Sequence, residues 1–241
     1  MLYNKNKKVN PMLIDAFNKL NIASVILLIL FGIACVVQLV FAFLELEKYR
    51  RIEKPILLAL LTAFAAVTLP THPFIYAATF VAMLGDIFVI LPNKKFFYLG
   101  AFCFFMGFVF YALEALVNFM GGNTPIYMFI VIFATYIVMV ITLGFFIGPK
   151  IADNMGESVG IGLYLAPLIT LIPIMTYVTV KGGYFMFLSL IGVCFFLFSD
   201  SLITYTKFVK KFKRYDFFVM LTYLIAEFLI VMGFTLSYLA R

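Results

Sequence analysis

Continuous apolar stretches, each about as long as a bilayer is thick, fill most of this chain, and they constrain its fold more than any motif does. A helix needs about 20 mostly apolar residues to cross the hydrocarbon core. Eight such stretches can be placed, at 22–44, 55–70, 73–91, 96–119, 125–147, 160–180, 183–206 and 216–239. With 65% hydrophobic and 12% charged residues, the chain has too little polar surface to cover a water-soluble globule. The stretches lack the alternation of barrel strands, so the backbone must satisfy its own hydrogen bonds within helices. The expected fold class is all-α: a polytopic membrane protein with eight transmembrane helices in one bundle over residues 22–241, after an N-terminal tail over 1–21. In that tail Met12, Leu13, Ala16, Phe17 and Leu20 recur at helical spacing and predict a short helix on the membrane surface. The run from Ile22 to Leu44 is too long for a signal peptide and lacks a small-residue cleavage site, so it reads as a retained span.

A net charge of +7 would suggest nucleic acid in a soluble protein, but here the basic residues fall in the breaks between spans, which excludes that class of partner. Twelve of them (Lys48, Arg50, Arg51, Lys54, Lys94, Lys95, Lys150, Lys207, Lys210, Lys211, Lys213 and Arg214) follow spans one, three, five and seven. Six (Lys5, Lys7, Lys8, Lys19, Lys181 and Arg241) lie on the opposite side. By the positive-inside rule the odd-numbered loops are cytoplasmic and both termini are outside. Abundant Lys, Asn, Ile and Phe match the usage of an AT-rich prokaryote, which points to a multi-pass protein of a bacterial cell membrane.

No loop is long enough for a soluble domain, and Pro70–Pro73 and Gly121–Pro125 are tight turns, so any chemistry lies among the helices. Cys35, Cys103 and Cys194 sit in different spans without paired spacing and read as packing residues. The single histidine, His72, lies in a Thr-His-Pro turn and reads as a solvated surface residue. Gly156, Gly160 and Gly162 do not follow a strand, and there is no phosphate loop or metal constellation. No metal or organic cofactor is expected.

Against this background two carboxylates stand out. Asp86 and Asp200 each lie inside an apolar stretch, where a charge costs at least ~2.5–3.5 kcal/mol on insertion scales and usually marks a pathway or reactive site. Asp86 precedes Leu91 by five residues and Asp200 precedes Lys207 by seven, in spans that run the same way. At 1.5 Å per residue, both lie roughly 8–10 Å below the same end of the bundle and can share a cavity. Lys54 opens the second span on that face, followed by Pro55 at a place suited to a first helical turn. Tyr111 with Glu114, and Tyr223 with Glu227, are spaced to share a helix face, and Glu227 lies near mid-span. The offsets Asp86 to Asp200 (114), Tyr111 to Tyr223 (112) and Glu114 to Glu227 (113) suggest a four-plus-four parallel repeat.

The ordered set of Lys54-Pro55, Gly85-Asp86, Gly100 and Gly107 with Tyr111, Ser199-Asp200, and Tyr223 with Ala226 resembles the YhhN-type lysoplasmalogenase family, over residues of about 50 to 235. The resemblance implies an eight-span hydrolase that cleaves the vinyl ether bond of lysoplasmalogens to a fatty aldehyde and a glycerophosphoethanolamine or glycerophosphocholine. It implies Asp86 and Asp200 as catalytic residues; beside them Lys54, Tyr111, Ser199, Tyr223 and Glu227 are the expected substrate-binding set, with a lysophospholipid and the surrounding membrane lipids as partners. Phe108 stands where many relatives have histidine, and Glu227 where they commonly have glutamine. Vinyl ether hydrolysis suits a carboxylate pair, one protonating the terminal alkene carbon while the other stabilises the oxocarbenium ion or orients water. Two other readings use the same residues. One is a proton-coupled transporter, favoured by the repeat, although Pro167 and Pro173 interrupt span six while span two is broken only at its start; the other is a non-catalytic lipid-binding protein, favoured by Phe108.

Overall fold

The computed structural model describes residues 6–120, 126–147, 155–181, 183–208 and 212–241, and within these the helices are joined by short turns, with no strand. The turn expected at Gly121–Pro125 lies outside the described residues. A short helix α1 (Asn6–Asn18) precedes α2 (Ile22–Phe43), α3 (Glu47–Thr68), α4 (Pro73–Ile90) and α5 (Lys94–Ala115). Then follow α6 (Ile126–Ile141), α7 (Met155–Val180), α8 (Met186–Phe208) and α9 (Tyr215–Leu239). Widened π-helical turns prolong α5 over Leu116–Met120 and α6 over Thr142–Ile147.

Among the described residues, α2, α4, α8, α9 and the stretch Lys95–Phe119 are long and apolar enough to cross a membrane. The other expected spans differ for visible reasons. Helix α3 spends its first two turns on charged residues, while the apolar parts of α6 and α7, Ile126–Ile141 and Leu165–Val180, are shorter.

From α2 to α5 and from α6 to α9 each helix packs on the next, α5 packs on α7, and α9 gathers the rest, touching α1, α2, α3 and α4 as well as α8. Its most apolar stretch is 67% buried against 17% for α2, so α9 forms the axis of the bundle and α2 faces outward. Glycines allow the closest approaches. A Cβ on Gly192 would lie 2.8 Å from the carbonyl oxygen of Ala226, and one on Gly233 would lie 2.6 Å from the amide nitrogen of Ser189, so α8 and α9 meet backbone to backbone. Gly85 and Gly100 do the same for α4 and α5, with a Cβ on Gly100 only 3.0 Å from the Gly85 carbonyl oxygen.

Two expectations need correction. Pro55 does not sit in a first turn, because α3 begins at Glu47 and carries the proline inside. The amide bond that Pro55 forgoes lies in the polar opening of the helix, where the freed carbonyl costs least. Pro167 and Pro173 likewise fall inside a continuous α7 rather than interrupting it. Helix α1 packs on the bundle through one face: Ala16 is fully buried, Leu13 packs on the core, and the Lys19 ammonium bonds the Leu239 carbonyl at the end of α9. The three cysteines are unpaired, as their spacing predicts.

Candidate functional site

Helices α3, α4 and α9 bring Lys54, Asp86 and Tyr223 together. Asp86 is 1% exposed inside α4, four residues before the helix ends, and each of its oxygens meets a different donor. Lys54 Nζ lies 2.5 Å from Oδ1, and the Tyr223 hydroxyl donates to Oδ2 at 2.9 Å. The same ammonium sits 4.5 Å from the centroid of the Tyr223 ring, so one cation serves a carboxylate and an aromatic face at once. Lys54 keeps 24% of its side chain exposed and so connects the buried carboxylate to the end of the bundle.

One turn further along α9, Glu227 is 1% exposed and accepts from the Tyr111 hydroxyl of α5 at 3.1 Å. Tyr111 is held by stacking on Phe234, with ring centroids 6.0 Å apart. The bonds linking the halves of the chain are not copies of one another: Tyr223 reaches an aspartate in the first half, while its counterpart Tyr111 reaches a glutamate in the second.

Ser199 and Asp200 are both buried on α8. The Ser199 hydroxyl donates to the Val219 carbonyl of α9 at 3.1 Å, which sets the register of the two helices here. Asp200 shares a helix face with Phe196, four residues earlier. The Phe196 ring packs edge-on to Tyr223 at 5.4 Å and to Phe108 at 4.9 Å. Since Val219 lies one turn before Tyr223, Ser199 is level with a point ~6 Å along α9 from the Tyr223 backbone. An aromatic wall of Phe108, Phe196 and Tyr223 thus flanks the site, and Phe108 contributes packing where a histidine would contribute a proton donor.

The ends of the bundle are tied separately. At the Lys54 end, Arg50 and Asp216 form an ion pair at 2.6 Å between the starts of α3 and α9. A surface hollow there is lined by Glu47, Lys48, Arg51, Ile52 and Ile90, one turn nearer the end than Lys54 and Asp86. At the opposite end, His72 is not the solvated turn residue expected. Its ring stacks on Tyr238 with centroids 3.6 Å apart, and Nδ1 lies 2.9 Å from Oε1 of the fully buried Glu114. Asn118 Nδ2 and the Tyr238 hydroxyl donate to that same oxygen. Sequence spacing placed Glu114 beside Tyr111; its partners from α9 and the α3–α4 turn had no signal in the sequence. Among the described residues no group of histidine, cysteine and carboxylate side chains is arranged to hold a metal ion.

No curated protein and no solved structure matches the chain. The model of the YhhN family matches residues 49–234, which contain Lys54, Asp86, Tyr111, Ser199, Asp200, Tyr223 and Glu227. The match covers well over half of the sequence, and the chain belongs to the YhhN family.

Proposed function

We propose that this protein is a membrane hydrolase that cleaves the vinyl ether bond of a lysoplasmalogen, releasing a fatty aldehyde and a glycerophospho-base. The observation that carries the reading is the Lys54–Asp86–Tyr223 constellation, a carboxylate with two donors buried near one end of an apolar bundle. Structural helix ties rarely bring a lysine so far inward, because desolvating the pair costs several kcal/mol per ion.

The reaction begins with a proton delivered to the terminal alkene carbon, which leaves an oxocarbenium ion. Water adds to that ion and loses a proton to form a hemiacetal, which collapses to the aldehyde and the free glycerol hydroxyl. Oδ1 of Asp86 lies 2.5 Å from the Lys54 ammonium and Oδ2 accepts from the Tyr223 hydroxyl, so this carboxylate already faces a cation. We therefore give Asp86 the role of stabilising the cation and orienting water, and Asp200 the role of acid. A single-chain lipid entering sideways places its ether link a few ångströms below its head group, which is the depth of Asp86 below the end of α4. Lys48 and Arg51, lining the hollow at that end, suit the lipid phosphate, with Lys54 deeper.

The test is aldehyde release from lysoplasmalogen by purified protein in detergent, alongside Asp86→Asn and Asp200→Asn variants shown to fold. Aldehyde from the parent that both variants lose supports the reading. Full turnover in either folded variant defeats the mechanism, and no aldehyde from well-folded parent defeats the function.

A further inference from the structure

Six side chains able to carry a proton form one line through the bundle. Asp86 accepts from Tyr223 at 2.9 Å, and Tyr223 and Glu227 share a face of α9, four residues apart. Glu227 accepts from Tyr111 at 3.1 Å, and Tyr111 and Glu114 share a face of α5, three residues apart. Glu114 in turn meets His72 Nδ1 at 2.9 Å. Bonds between helices therefore alternate with single-turn steps along a helix, and phenols alternate with carboxylates.

From Asp86 to Glu114 no member is more than 5% exposed, whereas the side chains at the two ends, Lys54 and His72, are 24% and 19% exposed. Asp86 follows His72 by fourteen positions along one helix, so the line covers about 20 Å of the bundle. Holding helices together takes isolated polar ties, each costly in an apolar interior. A continuous series is what proton transfer takes. Glu114 Oε2 is also buried and has no hydrogen-bond partner among the described residues, which leaves one carboxylate oxygen for the step towards Tyr111. A helical turn is a gap that one bridging water spans.

We propose that this line is a proton path between the two faces of the bundle, closed at its Asp86 end by Lys54. A proton taken up at His72 passes to Glu114 and then to the Tyr111 oxygen, as Tyr111 gives its own proton to Glu227. Tyr223 repeats the exchange between Glu227 and Asp86. Each phenol accepts one proton and releases one, so only the ends change charge. Lys54 opposes the final step, because protonating Asp86 removes the charge that holds the ammonium at 2.5 Å. The inference stands apart from the hydrolase reading, since proton movement is read with no lipid substrate present.

The experiment uses the full chain in neutral-lipid vesicles holding a trapped pH dye, with a potassium gradient and valinomycin to drive proton entry. Parent protein is expected to acidify the lumen no faster than lipid alone, and Lys54→Met several-fold faster. Adding Tyr111→Phe, which keeps the ring on Phe234, returns the rate to that of lipid alone. A Lys54→Met rate equal to the parent, or a double variant as fast as Lys54→Met, overturns the path. A parent that already conducts overturns the closure. If Lys54→Met does not reconstitute as folded protein, Lys54→Gln takes its place with the same readings.

Discussion

Tyr223 of α9 donates to Asp86 of α4 across 137 positions of sequence, and the same phenol presents its ring to the lysine that holds the other oxygen of that carboxylate. Removing the hydroxyl alone isolates the bond from the packing. Tyr223→Phe keeps the edge contact with Phe196 and leaves one buried carboxylate oxygen without its donor, a loss of about 1–3 kcal/mol. Thermal unfolding in detergent should show a clear drop in midpoint; an unchanged midpoint shows that the bond does not stabilise the fold.

The Lys54–Asp86 pair predicts strong non-additivity. Breaking a buried pair from one side costs about 3–5 kcal/mol, because the remaining charge is stranded. With a quarter of Lys54 exposed, Lys54→Met falls at the lower end of that range. The double variant Lys54→Met/Asp86→Leu should be closer to the parent than the sum of the singles, and a double-mutant cycle of unfolding free energies measures the difference. Additive costs would mean that the two groups do not sense each other.

Glycine positions separate crowded seams from open faces. Gly192→Ala forces a methyl against the Ala226 carbonyl oxygen and Ile230, and should destabilise by about 1–3 kcal/mol. A Cβ on Gly32 meets nothing within 4 Å, so Gly32→Ala should be neutral or gain up to about 1 kcal/mol from helix propensity. Melting curves of the two variants should move in different directions.

Phe108→His exchanges a buried ring against Phe196 for an imidazole that needs a partner there. The expected cost is about 1–3 kcal/mol in stability. On the hydrolase reading, aldehyde release per folded molecule is expected to be retained or increased, since the change adds a proton donor to the aromatic wall that flanks the site. A stable variant that loses activity would assign Phe108 a direct part in shaping the site.

Asp86 was legible in the sequence because an ionisable side chain in an apolar span is expensive and stands out against its surroundings, and Lys54 because it opens the second span on the same face. The sharing of faces by Tyr111 with Glu114 and Tyr223 with Glu227 was legible too, since it depends only on helical period. The partners across helices were not. Whether Tyr111 reaches Glu227, or His72 reaches Glu114, depends on how each helix is rotated about its axis, and 42 positions with a Pro-containing turn separate the latter pair. The start of α3 was misplaced because Pro55 carries the signature of a first turn, yet the charged residues before it also favour helix. The count of eight spans rested on apolar length alone, which does not register the charged opening of α3 or the π-helical widening after Ile141.

The glycine contacts also decide which parts of the bundle can separate. Backbones interlocked at Gly192 and Gly233 make α8 and α9 one rigid plank, and Gly85 with Gly100 makes α4 and α5 another. Asp86 and Tyr223 face each other across the seam between the planks, joined there by polar bonds instead of meshed backbone. On the hydrolase reading, a lipid tail reaching the site would have to part that seam. On that reading, entry would loosen the grip on Asp86 in the same stroke.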